Sequence, residues 1–132
     1  MIVVVIIGLL AALAVVALRR TRERALATRI TSDLRHFRSA FQIFHMETSG
    51  WPAATAAGSI PAGMEGYLSA AYLNTSEPGG AYSWTGPGAQ IRFTTLSASA
   101  ATMVLVDIAV DDGDLATGAF RYAGGTNYEL QL

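Results

Sequence analysis

The first eighteen residues, Met1–Leu18 (MIVVVIIGLLAALAVVAL), carry no charge and no strong hydrogen-bonding side chain, and this constrains the fold more than any other feature. As a helix they span roughly 27 Å at about 1.5 Å per residue, close to the hydrocarbon thickness of a bilayer. A secretory signal peptide needs a basic stretch before its apolar run and a small-residue cleavage site after it. Here no basic residue precedes the run, and Arg19-Arg20 follows it directly. A helix apolar on every side and buried in a soluble core would need surroundings that the other 114 residues barely supply. The expectation is a helix covered by lipid or by copies of itself.

The helical pattern continues past the arginines. Arg19 to Glu47 contains no Pro and no Gly, and Leu26, Ile30, Leu34, Phe37, Phe41 and Phe44 recur at spacings of 4, 4, 3, 4 and 3. That is one apolar stripe on a helix, with Arg22, Arg29, Arg35 and Arg38 largely off it. Thr48-Ser49-Gly50-Trp51-Pro52 supplies the stop, with Gly50 expected as the left-handed cap and Pro52 unable to continue. The prediction is one helix of about 47 residues, roughly 70 Å long. Residues 1–18 form its anchor or filament-core half, and residues 19–48 its amphipathic half. Ile2, Val5, Ile6, Gly8, Leu9, Leu10, Leu13 and Val16 are then candidates for packing in a filament core. The stripe from Leu26 to Phe44 would fasten the helix to a sheet.

Residues 49–80 read as a connecting region and residues 81–132 as an antiparallel β-sheet head, so the expected class is α+β. Residues 51–66 are rich in Ala, Gly and Pro, with one helical turn expected near Met64, and Tyr67–Leu73 suits a short helix. Asn74 to Gly80 is turn chemistry. Ala81–Thr85 and Gln90–Leu96 make a hairpin around Gly86-Pro87-Gly88, and Phe120–Tyr122 with Tyr128–Leu132 make another around Gly124-Gly125. Thr102–Val110 fits a strand by its β-branched residues. It also fits a helix capped by Ser97 or Ser99, because Met103, Val106 and Val110 share helical spacing, and the balance tips slightly to the helix.

Charge and composition remove whole classes of function. Only 14% of residues are charged, against roughly 25% in ordinary soluble domains. Without cysteine there is no disulfide scaffold, thiolate zinc site, cysteine nucleophile or covalent haem attachment. A net charge of −1 argues against a general nucleic-acid binder. The charge is unevenly placed: seven arginines face three acids in residues 1–50, and two arginines face seven acids in residues 51–132.

Taken together, the run IVVVIIGLLAALAVV and the basic Arg19–Arg24 stretch behind it resemble the N-terminal segment of type IV pilins and of the pseudopilins of type II secretion. The resemblance covers residues 1–47, with Gly8, Leu9 to Ala14 and the Arg/Glu-rich stretch in the family's order. The family's processing site and conserved glutamate would fall before Met1, and Val16 stands where a proline is usual. A basic leader ahead of the mature start is what reconciles the family with the positive-inside rule, which would otherwise keep the arginine side in the cytoplasm. The resemblance implies a structural, non-enzymatic subunit of a helical filament, held in the bacterial inner membrane before assembly and at the cell surface after it. Its partners would be copies of itself, membrane lipid and the assembly machinery. Arg19, Arg20, Arg22 and Arg24 would meet the acidic head of a neighbouring subunit. Two alternatives stay open: a periplasmic pseudopilin of type II secretion, and a signal-anchored periplasmic module that never polymerises.

Candidate chemistry is sparse. His36 and His45 lie nine residues apart, which places them on opposite helix faces and prevents a shared metal. No nucleophile-elbow, zinc-protease or phosphate-loop pattern occurs. Phe37, Phe41, Phe44 and Trp51 read as sheet-covering core in preference to an electron-conducting ladder. Asn74-Thr75-Ser76 matches a glycosylation acceptor only weakly. Asp107, Asp111, Asp112 and Asp114 cluster oxygens of the kind that calcium prefers, and major pseudopilins bind calcium in the head. The plainer reading is a solvated Asp-Gly turn, so no cofactor is expected.

Overall fold

A computed structural model describes residues 1–75, 80–95 and 97–132. The Ser76 position of the glycosylation pattern, the centre of the turn expected over 74–80, and Leu96 at the end of the first hairpin lie outside the described residues. The architecture is α+β: one 47-residue helix, α1 (Ile2–Thr48), and a four-stranded antiparallel sheet.

Helix α1 runs unbroken through Gly8 and Val16, as a stretch with no proline and one isolated glycine allows. Its end differs by one residue from the expectation. Ser49, at φ 56°, takes the left-handed cap position, not Gly50. The Thr48 hydroxyl lies within hydrogen-bond distance of the Phe44 and Gly50 carbonyls, which holds the turn there. The chain then folds back so that Trp51 stacks on His45, ring centroids 4.2 Å apart.

A single helical turn, α2 (Ala70–Leu73), replaces the longer helix expected from Tyr67. Strands β1 (Ala81–Trp84) and β2 (Gln90–Thr94) form the first hairpin. Ala100–Val110 is helical, α3, with the Ser99 hydroxyl accepting the Thr102 N–H as its N-terminal cap. Strands β3 (Phe120–Gly124) and β4 (Asn127–Gln131) form the second hairpin. Sheet order is β1-β2-β4-β3, so the two hairpins join through β2 and β4.

The register gives the sheet two unlike faces. Tyr82, Phe93 and Tyr128 form one inward row, and Trp84, Ile91, Leu130 and Phe120 another. The outward face is polar. Arg92 pairs with Glu129, Nε to Oε1 at 2.9 Å, while Thr94 bonds Asn127 and Gln90 bonds Gln131. Each edge strand makes outer hydrogen bonds to a loop. The Trp84 and Tyr82 carbonyls accept from Thr55 and Gly58, and the Tyr122 N–H donates to the Leu115 carbonyl.

The core lies between the inward face and the upper half of α1. Ile30, Leu34, Phe37 and Phe41 are buried, and Leu26 and Phe44 pack half-buried at its margins. Phe41 stacks on Trp84 at 4.0 Å and Phe37 meets Tyr82 edge-on at 4.9 Å. Trp84 donates its indole N–H to the Pro52 carbonyl at 2.9 Å, satisfying its one polar atom inside the core. Helix α3 lies alongside α1, with Arg35 donating to the Ala109 carbonyl at 2.6 Å. The flank of α1 beside the stripe, with Ala27, Thr31 and Arg35, therefore faces a second helix.

Candidate functional site

Two features are left over once the core is accounted for. The first is the lower half of α1. Every residue from Met1 to Arg22 is exposed, including Ile2, Val5, Ile6, Gly8, Leu9, Leu10, Leu13 and Val16. None of the apolar window is buried against the head, and α1 is the one described helix long and apolar enough to cross a membrane. Eighteen uncharged residues projecting into water would be strongly unfavourable, at roughly 25 cal/mol per Å² of apolar surface. The stem therefore requires a cover that a single chain does not supply. Arg19, Arg20, Arg22 and Arg24 are all exposed and point in different directions around the helix just above it, forming a cationic collar.

The second feature is the acidic turn after α3. Asp107 lies on the inward face of α3, on the same helical stripe as Met103, Val106 and Val110, and is 0% exposed. Among the described residues, neither of its carboxylate oxygens has a hydrogen-bond partner. One oxygen each from Asp107, Asp111 and Asp112 lies within 4.8 Å of the others. The outer two are tied into the turn. Asp111 accepts from the Ala119 and Phe120 N–H groups, and Asp112 accepts from the Asp114 N–H and the Thr117 hydroxyl. Asp114 stands outside the three-residue cluster and accepts from the Ala116 N–H.

Burial pushes the Asp107 carboxyl up to about 6, and the negative charges of Asp112, Asp111 and Asp114 push in the same direction. A buried carboxylate facing two others invites a proton or a hard cation, so the residues present fit a divalent ion with oxygen preference. The sequence groups Asp107 with its acidic neighbours but does not by itself reveal its burial. Its place on the 103/106/110 stripe was the available signal.

Among the remaining candidates, His36 is exposed on α1 and His45 is engaged with Trp51, well apart along the helix. No protein-family model, curated protein or solved structure matches the chain. A long apolar N-terminal helix packed on a small antiparallel sheet is compatible with a pilin-like fold.

Proposed function

We propose that the chain is a structural subunit of a pilus-like helical filament, held first in a membrane by Met1–Leu18 and then packed through that helix against copies of itself. The bare stem carries this reading: the head forms its core without residues 1–22, leaving the most apolar segment uncovered. Lipid tails and neighbouring Leu and Val side chains are similarly apolar, so moving the stem from bilayer to helix bundle is close to neutral in hydrophobic free energy. Dispersion contacts with many neighbours then hold the fibre. An inner-membrane precursor and a cell-surface product follow from this scheme, with no catalytic step in it.

Electron microscopy of cells expressing the chain tests it directly. Long fibres that incorporate the protein are the expected result. A purified chain that stays monomeric after detergent removal, with its stem folded against its own head, would overturn the proposal and favour a non-polymerising anchored module.

A second reading, a short periplasmic pseudopilus, draws support from the unpartnered Asp107 carboxylate beside Asp111 and Asp112. In that reading a calcium ion held by these three residues would neutralise the cluster and fix the acidic turn to α3. Calcium-dependent thermal stability together with the absence of long fibres is the outcome that would favour it.

A further inference from the structure

An open groove of about 650 Å³ runs between α1 and α3. Arg24, Arg35 and His36 line it, Leu105 and Ala109 contribute apolar surface from α3, and no carboxylate is among its lining residues. Thr31 also lines it. This residue is 6% exposed, and its hydroxyl is buried with no hydrogen-bond partner among the described residues. Arg35 is pinned at the upper end by its bond to the Ala109 carbonyl. Cations and an unsatisfied hydroxyl over apolar surface suit carboxylates carried on a short loop. The chain itself has such a loop: Asp111, Asp112 and Asp114 are exposed on the turn that follows α3.

The geometry points to this groove as the seat of the acidic turn of a second copy. The inference rests on the filament reading and names the contact that would repeat along the fibre. Helix α3 runs parallel to α1: the Ser99 hydroxyl lies 3.5 Å from Glu23 at one end, and Ala109 bonds Arg35 at the other. The acidic turn therefore lies just past the level of Arg35, whereas the groove is centred near Thr31. The difference is between one and two helical turns, roughly 6–10 Å at 1.5 Å per residue. A neighbour standing parallel and displaced by that distance toward the stem brings its turn to the groove. Its own groove stays open for the next copy, so the contact is heterologous and does not close.

Because the chain lacks cysteine, engineered thiols report this contact without background. Two full-length single variants, Ser32→Cys at the groove and Ala116→Cys beside the turn, are mixed and assembled by detergent removal, one carrying a size tag. The expected result is an oxidised dimer of mixed size, absent when Ser83→Cys, on the outward sheet face, replaces Ser32→Cys. Arg24→Glu or Asp114→Arg alone should lower the cross-linking yield several-fold, and the two together should restore it. Polymers that form normally but give no mixed dimer above the Ser83 control would overturn the groove contact and leave the filament reading standing. Yields indifferent to both charge reversals would do the same. A chain that forms no polymer by light scattering would remove the filament reading and this contact with it.

Discussion

A carboxylate sealed from water and offered no donor must be met by a proton or by a cation, and Asp107 is in that position. Its folded-state pKa, about 6, lies above the ordinary 3.8. Between those values the native chain holds a proton that the unfolded chain has released. Stability should therefore fall as pH rises from about 4 to 6, by at most roughly 3 kcal/mol, and level off above. Thermal melts in chelator across this range should show the slope, and Asp107→Asn should flatten it and raise Tm near neutrality. A flat wild-type profile would show that Asp107 is not the strained group described. Core packing offers a second test at this scale. Phe41→Ala removes the ring stacked on Trp84 and should cost about 3–5 kcal/mol in denaturant unfolding. Phe41 was legible from its spacing, since one helical stripe explains it. The environment of Asp107 was not, because β-branched neighbours left residues 102–110 undecided between strand and helix.

Helix α1 was legible almost to its last residue, because an uncharged run and a 3.6-residue stripe are local signals. The β2–β4 pairing was not. It joins segments more than thirty residues apart, and nothing in either strand names the other. The same contrast applies to the site: the exposed stem is written in consecutive residues, while the α1–α3 groove exists only after two distant helices meet. Since the stem touches no part of the core, Leu9→Arg should leave the head's near-UV circular dichroism and Tm unchanged. It should nevertheless weaken membrane insertion by about 3 kcal/mol, read as a shift from the membrane fraction to the soluble fraction. Loss of head folding in this variant would mean that the stem and the head are energetically one unit.

For the whole molecule, the uneven charge distribution matters more than the net value of −1. An arginine-rich shaft and an acidic head attract when copies stagger and repel when they stand level, so charge favours one offset between neighbours. Exposed pairs weaken within a Debye length of about 8 Å at physiological salt. If the chain assembles as proposed, raising ionic strength should therefore shorten or loosen its fibres without dissolving the packed stems, as measured by length distributions in negative stain. Fibres of unchanged length up to molar salt would remove charge from the account and leave apolar packing alone.

The loops that occupy the outer hydrogen bonds of β1 and β3 set a limit on how such molecules can aggregate. Outer backbone groups at Tyr82, Trp84 and Tyr122 are already engaged, which leaves less of either edge for the strand of another head to extend. In the proposed filament, cohesion would then be left to the shafts. The polar outer wall of the sheet could then vary in sequence, or be decorated, with little effect on the stem contacts that the proposed filament depends on.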